Sequence, residues 1–395
     1  MRQGVARLTL VLGAVMATAP LALDMYLPAL PTLEMEFAAS AARVQHTLSA
    51  YLFGMAVGQL VFGPLSDRYG RKPPLLAGLG VFAIASAGCA VAHGIESFVL
   101  LRVAQALGGS AGMVVIRAII RDRFDAIQSA RVLSLMMLVM GGAPILAPLA
   151  GGWLLVNGSW HWIFWLLAAY TVLCLALVFF FLDESHPAAL RSRSLASAMA
   201  GFMPLARDPR FLGPTLVFMG AFGAFFAYIA SAPFVFIQYF RVPADQFGWY
   251  FGANAVGFVT VSQLNRRLVT GRGPRRVLGW GVCMHGAAAL ALLVCALTGF
   301  AGFAGVFMAV FFVVASLGLI GPNAAAVAMA PFGARAGGAS SLLGSAQALT
   351  GVVSSAAVGW IHAKGATPMA VVVGACAAIS FVSYAALVKT ERTAP

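Results

Sequence analysis

Charge is what this sequence has least of. Only 9% of its 395 residues are Asp, Glu, Lys or Arg, against 61% hydrophobic, whereas about a quarter of a soluble domain is charged. That excludes a soluble globule and leaves a polytopic membrane protein. Acid is scarcer than base, with 12 Asp and Glu against 25 Lys and Arg. The five cysteines, Cys89, Cys174, Cys283, Cys295 and Cys376, stand singly in apolar segments with no CxxC spacing and no histidine at ligand distance. They read as small core residues, which excludes a disulfide framework and a metal site. Paired acids, or a nucleophile with its base, are also missing, so an integral-membrane enzyme would lack its machinery. His93 and His161 fall near outer loops, and His285 is a lone span residue expected to be satisfied by a neighbour. Ala17, Thr18 and Ala19 after Arg2 and Arg7 imitate a cleavable leader, but Pro20 would follow the cut and many spans come after it.

Long apolar runs are what the chain has in abundance. A hydrocarbon core about 30 Å thick takes about 20 residues of helix, and the runs predict twelve spans: 8–30, 44–64, 74–93, 97–120, 128–156, 161–182, 211–238, 247–265, 277–298, 301–330, 338–361 and 367–388. The expected class is an all-α integral membrane protein with twelve transmembrane helices in two six-helix bundles. Residues 1–182 form the first bundle and 211–395 the second. Between them lies a polar linker, 183–210, that carries Arg191, Arg193, Arg207 and Arg210. With the N-terminus in the cytoplasm, the Lys and Arg residues gather in cytoplasmic loops, tails and span ends, only Arg43, Arg241 and Lys364 fall outside, and only Arg102 lies within a span away from its cytoplasmic end. This asymmetry follows the positive-inside rule and puts both termini in the cytoplasm. The net charge of +13 is thus a sign of topology and of attraction to anionic lipid, not of nucleic-acid binding. GRKPPLL from Gly70 is echoed by GRGPRRVL from Gly271, although the second copy has no acid matching Asp67. Such an echo is expected of two related halves.

Asp24 is the one acid inside an apolar run, where a charge costs about 2.5–3.5 kcal/mol on insertion scales. Pro28 cannot supply the amide that would bond the Asp24 carbonyl, and Pro20 disturbs the turn before it. Open backbone at that depth needs a wet, protein-lined pocket. Arg102, about one turn inside the fourth span, has a depth similar to that of Asp24, and Gln105, Gly109 and Gly112 continue its face toward a polar cavity. Two readings stay open for each residue. Asp24 is a proton site or a neutral helix–helix hydrogen bond, and Arg102 is its electrostatic partner or a side chain that snorkels outward.

GPLSDRYGRKP, Gly63 to Pro73, is the sharpest motif, a tight turn of small residues with Asp67, Arg68, Gly70, Arg71 and Lys72 at the membrane surface. Arg71 is expected to pair with Asp122 at the end of the fourth span. Asp67 is expected to accept from the small-residue start of the eleventh, near Gly337 and Gly338, closing a cytoplasmic latch between the halves. The plainer alternative is a basic loop with one helix cap. In the fifth span GGAPILAPLAGG, Gly141 to Gly152, has Pro144 and Pro148 to bend the helix and Gly151 and Gly152 to admit a close neighbour. A central apolar pocket between the halves is expected to draw on Tyr51, Met55, Met136, Met140, Phe222, Phe226, Tyr228 and Asn254, with Gln105 beside them.

The first motif, RVAQALGG from Arg102, and the Pro/Gly series of span five resemble the three signatures of the major facilitator superfamily of drug:proton antiporters. LALDMYLPALP (Leu21–Pro31) and SWHWIFW (Ser159–Trp165) are similar to the narrower Bcr/CflA group of bicyclomycin and chloramphenicol or florfenicol exporters. Ala147 stands where that family often has Gly, and the signatures lie mostly in the first half. The resemblance implies the major facilitator fold and a proton-coupled exporter of small amphipathic drugs, working by alternating access. Asp24 and Arg102 would couple the proton. It would be a monomer in a bacterial inner membrane, with drug, protons and lipid as partners and no cofactor or metal beyond the proton gradient. Export of a small metabolite such as an amino acid is the alternative in the same fold. The span-five series argues against uptake symport.

Overall fold

A computed structural model describes residues 2–124, 126–187, 202–361 and 365–388. The regular structure of the described residues is all helical, because in hydrocarbon each backbone amide and carbonyl must find its partner within its own segment. The first half has α1 (Arg2–Asp24), a 3-10 turn (Leu27–Ala29), α2 (Leu30–Glu36), α3 (Ala41–Tyr69), α4 (Lys72–Ala90), α5 (Ile95–Arg123), α6 (Ala126–Asn157) and α7 (Trp160–Phe181). After a short α8 (Phe202–Arg207) come α9 (Pro209–Pro233), continued by a π-helical stretch Phe234–Tyr239, and α10 (Ala244–Arg272). Then follow α11 (Pro274–Thr298), α12 (Gly302–Met329), α13 (Ala336–Trp360) and α14 (Thr367–Ser383). Ten of these helices, with α1 and α2 counted together, are long and apolar enough to cross a membrane. The other two expected spans are α6, at 32 residues, and α10, at 29 residues. The chain is a multi-pass membrane protein.

Helix ends follow local chemistry. Proline occupies the first turn of α4, α9, α11 and α14, where its missing amide costs no hydrogen bond. Ser159 caps α7 and Asp208 caps α9, each side chain accepting an amide two residues on. Gly299, at φ +73°, ends α11 in the left-handed region. The first expected span is the one that does not run through. It stops at Asp24 and restarts after the turn that contains Pro28, where an amide is missing, whereas Pro20 sits inside α1 without breaking it.

The chain divides into two compact units, Met1–Ala39 with Ala50–Ala200, and Ser40–Ser49 with Gly201–Pro395. The first turns of α3 group with the second unit, where the Ser49 and Ser355 hydroxyls bond at 2.7 Å and Gln45 Nε2 donates to the Ala230 carbonyl. In the first unit Val11, Leu12 and Val15 pack with Leu75, Leu79, Val115 and Ile119. In the second Val217, Ala221, Leu278, Val282 and Ile320 form the corresponding core.

Candidate functional site

The break after α1 builds the site. Asp24 ends the helix 3% exposed, and no hydrogen bond or ion pair reaches its carboxyl among the described residues. Gly151 of α6 packs on the Met25 carbonyl so closely that a Cβ there would collide with it. The small face of span five therefore holds the broken segment next to Asp24 in place.

Arg102 is fully buried, which removes the snorkelling reading. Its Nη1 donates to the Ala22 carbonyl at 3.1 Å and to Gln105 Oε1 at 2.5 Å. Gln105 Nε2 donates in turn to Ser86 Oγ at 2.8 Å, so the arginine is anchored through α5 to α4. The guanidinium lies 4.0 Å from the Tyr26 ring centre and 4.2 Å from that of Tyr51, with Phe164 at 5.8 Å. Ring faces attract a desolvated cation, which helps to hold this charge away from water. Tyr51 itself is fixed by donating to the Ala19 carbonyl at 2.9 Å.

Asp24 and Arg102 are not ion-paired, although Tyr51 is within electrostatic reach of both. Arg102 Nε and Nη2 have no acceptor among the described residues. Those two donors form the edge on which a guanidinium takes a carboxylate in a fork. The site thus offers an uncommitted carboxyl and a fixed cation with two unused donors. The cavity expected beyond Gln105 is absent at two of its positions. Gly109 packs on the Phe82 ring and Gly112 on the Val15 backbone, so their lack of a side chain serves helix contact.

The other pocket candidates separate. Met136 belongs to the first unit's apolar core, Met55 is half-buried, and the Met140 side chain lies outside the described residues. In the second unit Phe222 packs on the core around Val217 and Leu278. Phe226 is buried beside Phe225. Tyr228 and Asn254 do meet: Asn254 Nδ2 donates to the Tyr228 hydroxyl at 2.8 Å, while Asn254 Oδ1 is buried with no partner among the described residues. His285 bonds Ser316 Oγ at 2.8 Å through Nδ1, while its Nε2 is buried with no partner among the described residues, so the expected satisfaction by a neighbour reaches one ring nitrogen.

The surface turn is braced within one unit. Gly70 at φ +92° lets the chain reverse between α3 and α4. Arg71, almost fully buried, binds Asp122 at 2.8 Å and Asp67 at 2.6 Å, with Ser66 Oγ at 3.0 Å. The expected Arg71–Asp122 pair therefore ties the turn to the end of α5. The expected seat of Asp67 at Gly337 and Gly338 lies outside the described side chains, and Arg68 is exposed over its neighbour Tyr69. Pro144 and Pro148 sit inside an unbroken α6, and Gly152 is buried.

Glu184 is the residue the sequence did not disclose. Its carboxylate accepts the backbone amides of Arg71 at 2.8 Å and Lys72 at 3.1 Å, at the start of α4, as well as those of Ser185 and His186. Partial burial pushes the Glu184 carboxyl up, but these amides outweigh it and hold it below its ordinary range. Its only sequence signal is an acid just beyond the sixth span.

The Major Facilitator Superfamily model matches residues 12–355. The bicyclomycin resistance protein homolog of Haemophilus influenzae is 34% identical over 376 residues, covering 95% of this chain and 94% of that one. Multidrug resistance protein MdtL of Escherichia coli O81 is 39% identical over 170 residues, covering 43% and 44%. Among solved structures, the xylose transporter XylE of E. coli superimposes with a TM-score of 0.77 at 14% identity, covering 100% of this chain and 98% of that one, a likeness of fold. The helix count, the motif turn and the family match over most of the length agree, and the chain belongs to the Major Facilitator Superfamily, whose members are transporters and not enzymes.

Proposed function

We propose that this protein is a proton-driven exporter of small amphipathic drugs, bicyclomycin- or chloramphenicol-like. In this reading it is a monomer in a bacterial inner membrane with both termini cytoplasmic, and the proton gradient is its only driving force. The observation that carries the reading is the buried Asp24 carboxyl at the break after α1, in the same neighbourhood of Tyr51 as Arg102 with its two unused donors. A carboxyl at this depth answers both to the water that reaches it and to the charges that approach it. A change in either influence moves one proton on or off Asp24. Tied to a conformational cycle that opens the site to one side at a time, that proton crosses the membrane as drug leaves. The relatives named for bicyclomycin and multidrug resistance support this substrate class.

Asp24→Asn keeps the size and polarity of the side chain and removes the titration. In proteoliposomes it is expected to abolish drug efflux driven by a pH gradient, with the protein still monodisperse. Drug-driven proton movement in that variant would overturn the proposal. A second reading, export of a small metabolite such as an amino acid, draws on the two unused Arg102 donors, which suit a carboxylate. Competition for transport by amino acids, and not by chloramphenicol, would favour it.

A further inference from the structure

No Asp or Glu lies between Asp245 and Glu391. Within that stretch, arginine gathers at the turn between α10 and α11, with Arg266 and Arg267 in the last turns of α10, Arg272 at its end, and Arg275 and Arg276 in the first turn of α11. Arg272 lies over the Trp280 ring at 4.7 Å, and no acid holds Arg272 or Arg276 among the described residues. Gly273 at φ +73° and Pro274 turn the chain sharply, and the start of α11 opens on a cleft of about 360 Å³. Arg272, Arg275 and Arg276 line one side of it. Ala326 and Val327, near the end of α12, and Pro331 just beyond it line the other.

The related turn in the first unit shows what such a place takes. There Arg71 is bound by Asp67 and Asp122, and the first amides of α4 receive the Glu184 carboxylate. An anion belongs at the start of the helix, and in that unit the chain supplies it. In the second unit it supplies none among the described residues, and the cleft is cationic on one wall and apolar on the other. A soluble anion has no use for the apolar wall, whereas a phospholipid does.

We propose that this cleft binds an anionic phospholipid, with its phosphate on Arg272 and Arg276 and its glycerol and upper acyl chain along Ala326 and Val327. The orientation proposed above makes this a site for the cytoplasmic leaflet, where basic clefts between helices meet anionic headgroups. The binding itself does not depend on that orientation or on the transport reaction.

Native mass spectrometry of the full-length protein in detergent tests it, with phosphatidylglycerol and phosphatidylcholine as paired probes. Wild type should retain phosphatidylglycerol in preference. Arg272→Gln with Arg276→Gln should weaken its retention by about fivefold per arginine, while Arg266→Gln with Arg267→Gln, outside the cleft, should change it by less than about twofold. The single Arg276→Gln variant gives the same reading if the pair fails to fold. Equal losses in the two pairs would overturn the site in favour of diffuse attraction, and no loss in the cleft pair would overturn it outright. Displacement of phosphatidylglycerol by inorganic phosphate would replace the lipid with a soluble anion.

Discussion

In the first unit Gly70 opens a turn whose arginine is bound on both sides by acid. In the second, Gly273 opens the turn, and among the described residues Arg272 meets the face of Trp280 and no acid. The same contrast runs through the interiors. The first unit buries an acid and a cation, Asp24 and Arg102, with Gln105 and Ser86 to anchor the cation. The second buries neutral pairs: Asn254 with Tyr228, Asn323 with Asn265, and His285 with Ser316. The two halves share an architecture and have divided the electrostatic work. Charge that must be controlled is kept where the chain itself can answer it, and the second half leaves its charge at the surface.

Substitutions in the first unit should therefore cost far more than matched ones in the second. The largest difference after Asp24→Asn is expected for Arg102→Lys. Lysine keeps the charge but loses the planar fork and the stacking between Tyr26 and Tyr51. Efflux should fall on the order of tenfold or more, the worth of one hydrogen bond to a charged group. Asn254→Ala, which removes a neutral partner in the second unit, should spare proton coupling. If Arg102→Lys pumped at the wild-type rate while Asn254→Ala uncoupled drug from proton, the assignment of coupling to the first unit would be wrong.

Asp122→Ala comes next. It leaves Arg71 buried with only the half-exposed Asp67 as acid, and a buried charge that loses a partner costs several kcal/mol. Because Asp67 remains, about 1–3 kcal/mol is expected, read as a lowered melting midpoint in detergent. Arg276→Gln, at the corresponding surface of the second unit, should stay within about 0.5 kcal/mol. Equal midpoints for the two variants would show that the bracing in the first unit is ornamental.

How much of this the sequence disclosed depends on how each contact is made. The spans were legible because the bilayer converts thickness directly into the length of an apolar run, and the halt at Asp24 followed from a single missing amide at Pro28. Arg71 with Asp122 was legible because both charges lie at one membrane surface. Glu184 was not, because it binds amides of Arg71 and Lys72, and no side-chain pattern displays a free amide. The ring cage of Arg102 was hidden for another reason, since Tyr26, Tyr51 and Phe164 come from three separate segments. Gly109, Gly112 and Met136 misled in the same way. A small or flexible residue in a span marks either a cavity or a close contact, and only the neighbour decides which.

Glu184→Gln probes the hidden brace with a smaller effect. A carboxylate on the first amides of a helix is worth about 0.3–1 kcal/mol at an exposed position. With the folded carboxyl held below its ordinary 4.5, that stabilisation is present above the unfolded value and is lost as pH falls through the depressed folded one. Melting midpoints of wild type and Glu184→Gln should therefore differ at pH 7 and converge as the pH is lowered below 4.5. A constant gap across that range would mean that the carboxylate charge is not what stabilises the turn.

The smallest effect is the one that would rebuild the first turn in the second. In the sequence echo, Leu268 stands where Asp67 does, three residues before the Gly-Arg pair begins at Gly271 and four before Arg272. Leu268→Asp would give Arg272 an acid at the spacing of an i,i+4 helix pair, worth about 0.3–0.5 kcal/mol. That arginine would then be partly answered within the chain, as Arg71 is, and phosphatidylglycerol retention should drop by about twofold. Leu268→Asn, of equal size and no charge, should leave retention unchanged. If the two substitutions behaved alike, the divergence between the turns would lie in their shape, and the missing acid would not explain why the second unit carries its charge to the surface.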